Sequence, residues 1–155
     1  MFTPPYSRLI REDVLPGVEE PLRSCLAVLA FDTELQMQGF VTLLGNSTGL
    51  ILPEIVGALD TIGAHRDAET VRTVLQLLAA RGMTPRTLRE GAVPRELHSI
   101  STFAIDHPDQ DSSIWDEVED MSRRLGSEHG GALVEWLAKE WPTLAKPWSY
   151  GDRPT

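Results

Sequence analysis

Four histidines, one cysteine and a close pair of carboxylates are the side chains with which this 155-residue chain could do chemistry. His65, His98, His107 and His129 show no HxxxH, HExxH or Cys/His spacing, so no metal site is legible in them. His65 and His107 fall at predicted helix ends and His129 in a first turn, and all are expected at the surface. Cys25 falls on an apolar helical face, where an inert buried thiol is the default, and a lone cysteine excludes an intrachain disulfide. Asp32 and Glu34 flank Thr33; residues two apart do not face each other on a helix, so they cannot work on one another as acid and base. Glu34 is expected instead to accept structural hydrogen bonds from backbone N–H groups near Gly39 or the turn at 45–49. Gly45-Asn46-Ser47-Thr48-Gly49 lacks the lysine and the spacing of a phosphate loop, which leaves a capped turn. Nothing resembles a nucleophile elbow, and no cofactor is expected.

The most distinctive chemistry is charge. Acids outnumber bases 23 to 14, for a net charge of −9. That argues against direct binding to nucleic-acid phosphates, which takes a basic footprint. Asp106, Asp109, Asp111, Asp116, Glu117, Glu119 and Asp120 lie in one stretch without a lysine or arginine. One account is solvation: Asp116 and Glu117 fall in a first turn, where the helix dipole favours acids, and Glu119 and Asp120 precede Arg123 and Arg124 by four residues. The other is a phosphate-like surface. Acids three or four apart on a helix stand about 5–6 Å apart, against one charge per roughly 3.4 Å of rise along a DNA strand. Residues 81–95 are the counterweight, with Arg81, Arg86, Arg89 and Arg95 against Glu90. Pairing of the two patches between copies would give a homodimer.

Helices must position these groups. Glu19-Glu20-Pro21 is a favourable helix start, and Leu22, Cys25, Leu26 and Leu29 follow at the spacing of one buried face. Gly39 breaks that helix, and Phe40 to Leu44 is a brief helix or a strand. A second firm helix places Leu52, Ile55, Leu59 and Ile62 on one face and stops at Gly63. A third, with Asp67 as N-cap, buries Val71, Val74, Leu75 and Leu78. A short helix runs from Pro85 to Gly91, and another starts at Pro94 and carries Leu97, Ile100 and Ala104 inward. Ser113 caps a helix with Ile114, Val118, Met121 and Leu125 inside. Ser127 caps the last, which buries Leu133, Trp136 and Leu137 and halts at Trp141-Pro142. The expected architecture is an all-α, single-domain multi-helix bundle with short loops and no sheet. It has a loosely ordered arm at 1–18, a helical domain at 19–141 and an irregular tail at 142–155. No signal segment or membrane-length apolar run is present, which together with the single cysteine points to the cytoplasm.

The central stretch resembles the DMP-nineteen-like family of DNA-mimic proteins. The residues that carry the resemblance are Asp32-Thr33-Glu34, then Gly39-Phe40, then Asn46-Ser47-Thr48-Gly49, and the helix end Ala58-Leu59-Asp60-Thr61-Ile62-Gly63-Ala64. Met37-Gln38 stand where the family has Asn-Gly, and Thr42-Leu43-Leu44 replace its usual glutamine and aromatics, so this looks like a divergent member. The resemblance implies an all-helical bacterial protein without enzymatic activity, whose acids stand in place of DNA on a DNA-binding regulator. The mimicking acids are not part of the shared motif. The partner is therefore expected to be a basic protein, met through the acids at 106–120. A toxin-neutralising, immunity-type protein is the first rival expectation, and an enzyme using Asp32, Glu34 and a histidine the second.

Overall fold

The structure is a computed structural model and describes residues 8–96, 112–126 and 128–145. Among the described residues every regular element is helical and no strand occurs, as the apolar periodicity predicts. The α-helices are α1 (Leu22–Gln38), α2 (Phe40–Gly45), α3 (Leu52–Thr61), α4 (His65–Ala80), α5 (Pro85–Glu96), α6 (Ser112–Ser122) and α7 (His129–Ala145). Two 3-10 turns, Leu15–Gly17 and Ser47–Ile51, lie before α1 and α3. None of the described helices is long and apolar enough to cross a membrane.

Helix α1 is the centre of the bundle and packs against α2, α3 and α7. Its middle is apolar nearly all round, as suits a helix covered on several sides. That is also why periodicity misplaces its inner face. Leu26, Ala27, Val28, Ala30 and Phe31 are buried, whereas Leu22 is exposed, Leu29 is 45% exposed and Cys25 is half-buried. Burial still pushes the Cys25 thiol pKa up, which keeps it in the unreactive form. At Gly39 the backbone takes φ +80°, a conformation open chiefly to glycine. The corner folds α2 back so that Phe40 meets Phe31 edge to face, ring centroids 6.5 Å apart.

The α3 and α4 faces match the pattern. Leu52, Ile55, Leu59 and Ile62 are buried on the one, Val71, Val74 and Leu78 on the other, while Leu75, expected with them, is half-buried. Asp67 is a correction: α4 begins at His65 after Ala64, and Asp67 stands buried in its first turn with no capping role toward its own helix. Three other boundaries shift. Helix α6 starts at Ser112, so Ser113 lies inside it and is not its cap, and Asp116 and Glu117 fall beyond its first turn. Helix α5 continues through Gly91, which does not take a positive φ, and through Pro94. Helix α7 continues through Pro142 to Ala145. Proline removes the hydrogen bond to the carbonyl four residues back, here at exposed Ala138, where water can replace it. The expected helix carrying Leu97, Ile100 and Ala104, and Ser127, lie outside the described residues.

In the stretch expected as a loose arm, Leu15 is fully enclosed in the core, and Glu12 forms an ion pair with Arg86 of α5. The N-terminal approach is thus fastened at two points. The same pair gives one arginine of the basic stretch an intramolecular partner.

Candidate functional site

Helices α1, α4 and α7 meet at a polar knot inside the bundle. Glu128, just before α7, accepts hydrogen bonds from the backbone N–H groups of Arg66 (3.0 Å) and Asp67 (3.2 Å) in the first turn of α4. Asp67 in return accepts the backbone N–H of His129, the first residue of α7, at 3.1 Å. First-turn N–H groups have no partner within their own helix and attract negative charge. Here each helix start supplies the carboxylate that the other needs.

The knot closes on the His129 ring. Its Nδ1 lies 2.7 Å from Asp67 Oδ2 and its Nε2 2.8 Å from Asp32 Oδ1. The His129 and Asp67 side chains are each 1% exposed, and that of Asp32 is 42% exposed. A neutral imidazole has one N–H, so only the imidazolium can donate to both carboxylates. The Asp67 carboxylate raises the His129 pKa above its ordinary value; burial opposes the rise and the Asp32 carboxylate adds to it. Phe31 closes a further side, its ring edge-on to the imidazole at a centroid distance of 5.2 Å. Among the described residues no group of three or more His, Cys, Asp or Glu is arranged to hold a metal ion. Both His129 nitrogens are committed to carboxylates.

This corrects the expectation that His129 lies at the surface. The signal was available in the spacing. Asp67 stands four residues before Val71 on the buried stripe of α4, and His129 four before Leu133 on that of α7. An ionisable group on such a stripe requires a partner. Which partner it takes is a matter of tertiary structure, since Asp32 and His129 are 97 residues apart.

The knot makes stability depend on pH with a definite sign. The folded-state pKa of His129 is raised, so its contribution is fully present below the unfolded value of about 6.5. It is lost as pH climbs through the higher folded value. NMR titration of labelled histidine should place the His129 midpoint above about 6.5, with the thermal midpoint of the protein falling over the same interval. A midpoint below that value would remove the imidazolium from the account.

A second polar contact organises the central turn. Asn46 donates from Nδ2 to Glu34 Oε2 at 2.8 Å, and its Oδ1 accepts the backbone N–H groups of Thr48 (2.9 Å) and Gly49 (3.3 Å). Glu34 therefore serves the 45–49 turn as expected of a structural acid, but through the Asn46 side chain and not by direct bonds from the backbone. Replacing Glu34 by Ala should cost about 1.5–3 kcal/mol, the worth of a hydrogen bond to a charged acceptor. Asn46→Ala added to it should cost less than it does alone, because the two share one contact. Additive costs in urea denaturation would show that the contact does not form.

Of the acids expected at the partner-facing surface, Asp116, Glu117, Glu119 and Asp120 stand exposed on α6 while Ile114 and Val118 face the core. Arg123 approaches Asp120 at 3.6 Å with both side chains largely in solvent, so the pair neutralises little. Asp106, Asp109 and Asp111 lie outside the described residues. Asp32, Glu34, Gly39, Phe40, Asn46 and Gly49 all have internal contacts or backbone roles, and α6 displays its acids on a different helix.

A protein-family model described as DMP19-like protein matches residues 17–140, from the first 3-10 turn almost to the end of α7. No curated protein and no solved structure matches the chain.

Proposed function

The chain belongs to the DMP19-like family, and from that premise we propose that it is a non-enzymatic interaction protein whose acidic surface takes the place of DNA on a basic, DNA-binding partner. The observation that carries this reading is the solvent side of α6, where Asp116, Glu117, Glu119 and Asp120 are displayed together. Residues at i, i+3 and i+4 of a helix present their charges about 5–6 Å apart, a spacing of the same order as that of backbone phosphates. The helix is anchored from behind by Ile114 and Val118, which turns the four acids together toward solvent. The sealed state of His129 counts against an enzyme that would use Asp32 with this histidine: with both nitrogens bound to carboxylates, the ring has no atom to offer a substrate. The setting proposed is the reducing cytoplasm, in which Cys25 stays a thiol.

The test is capture of the partner from native lysate by wild type and by a variant in which Asp116, Glu117, Glu119 and Asp120 are all changed to Lys. The four side chains are exposed, so the melting curve should barely move. The captured protein should be basic, should be released as salt rises, and should be lost from the variant. Equal capture by the variant at low salt would refute the reading. Capture that persists at high salt would favour the immunity-type alternative, whose contacts need not be ionic.

A further inference from the structure

Between the 3-10 turn at Leu15–Gly17, the start of α1 and the body of α3 lies an open cleft of about 250 Å³. One side carries Glu20, Arg23 and Ser24; the other carries Glu54 and Thr61, with Gly57 between them. Glu20 is fully engaged. It accepts the Ser24 hydroxyl at 2.8 Å, the Ser24 backbone N–H at 3.2 Å and Arg23 Nε at 3.2 Å. Arg23 is held in turn, by Glu20 and by the Pro16 carbonyl at 3.2 Å. Glu54, in the first turn of α3, is different: its carboxylate makes no hydrogen bond or ion pair with the rest of the chain among the described residues. The lining therefore balances one acid against one base and leaves a negative charge over.

Gly57 is the second observation. It sits inside α3, exposed, with an ordinary helical backbone, and a Cβ placed there would meet nothing within 4 Å. Glycine in a helix interior costs about 1 kcal/mol relative to alanine. Neither backbone geometry nor packing calls for it here. What its missing side chain does is keep the cleft open beside Glu54.

We infer that this cleft receives an arginine side chain of the basic partner, so the inference rests on the function proposed above and adds a second point of contact to α6. The size suits one side chain: pockets for drug-sized ligands run to roughly 300–1,000 Å³. A guanidinium presents a planar fork of donors that matches a carboxylate in two parallel hydrogen bonds, and Glu54 has both oxygens to give. The aliphatic stem would lie where a side chain at position 57 would otherwise project, against Ala58 and Pro16.

The experiment uses the full chain and a probe that needs no partner. Acetyl-argininamide is titrated into isotopically labelled protein, with the neutral acetyl-citrullinamide as control. Saturable amide shifts are expected at Ser24, Gly57 and Thr61 with the first and not the second. Glu54→Gln should weaken binding about threefold, as expected for loss of a partly exposed ion pair. Gly57→Leu should abolish the shifts while raising the melting temperature, because it gains helix propensity and meets no obstruction. In partner capture, Gly57→Leu should weaken retention about tenfold, equivalent to roughly 1.4 kcal/mol. Probe shifts that survive Gly57→Leu, that spread over the acidic surface, or that vanish without any effect on capture would overturn the inference. Failure of the α6 reversal to release the partner, with the probe titration unchanged, would count against the proposed function and leave the cleft an arginine site without its partner; the two failures are thus told apart.

Discussion

Replacing Asp67 by Ala is expected to destabilise the fold by about 3–5 kcal/mol, the range for removing one member of a buried ion pair. The expectation follows from how much meets at one oxygen. Asp67 Oδ2 takes both the ring Nδ1 and the backbone N–H of His129. Both partners are shut off from water, so neither can be rehydrated in place when the carboxylate goes. A domain of ordinary stability has about 5–15 kcal/mol in total, and the loss would remove a large part of it. For a chain of this length the melting temperature should fall by roughly 6–20 °C. His129→Ala should cost a similar amount, and the double variant far less than the sum. Asp32→Asn should be milder, since its side chain is 42% exposed and water can take its place. Urea denaturation of the four variants measures all of this; a loss under about 1 kcal/mol for Asp67→Ala would show that the knot is not closed in solution.

Gly49→Ala is the second large effect. A Cβ at Gly49 would lie 2.5 Å from the Leu44 carbonyl oxygen and 2.7 Å from that of Leu43. These are backbone atoms of α2, so no side chain can rotate away to make room. The 3-10 turn at 47–51 would have to move off α2. It would then lose the hydrogen bonds by which Asn46 caps Thr48 and Gly49 and disturb Ile51, which is 1% exposed in the core. Overpacking of this kind typically costs about 1–3 kcal/mol, and loss of the cap adds about 1 kcal/mol. Gly39→Ala makes an instructive comparison, because a Cβ there would meet nothing within 4 Å and the penalty is purely that of φ +80°. Gly49→Ala should be the worse of the two in a thermal melt; the reverse order would mean that the turn relaxes away from α2 at little cost.

The helices were legible because apolar spacing, prolines and glycines agree with one another along most of the chain. The firmest were α3 and α4, whose faces are Leu52, Ile55 and Leu59, and Val71, Val74 and Leu78. Helix α1 kept its limits but not its face, because Leu22, Leu26, Val28 and Leu29 leave no polar side to orient it. Gly91 and Pro94 mislead for a physical reason: each lowers helix propensity without forbidding the helical backbone, and tertiary packing decides. The knot was harder. Asp67 and His129 each occupy a core-facing position, but a carboxylate at a helix start also reads as a cap, and a histidine near a helix end as a surface residue. Only the meeting of three chain segments distinguishes the two. The acids on α6, by contrast, could be placed from the spacing of Ile114 and Val118 alone.

The exchange of carboxylates between α4 and α7 also sets an order of events during biosynthesis. Asp67 leaves the ribosome 62 residues before His129, an interval of roughly 3–12 s at 5–20 residues per second. Through that interval the nascent chain holds a carboxylate on a core-facing stripe with its counterion not yet made. Helix α3 packs against both α1 and α4 without α7, but the polar contacts of Asp32 and Asp67 wait for His129. Closure of the knot is thereby tied to the synthesis of α7.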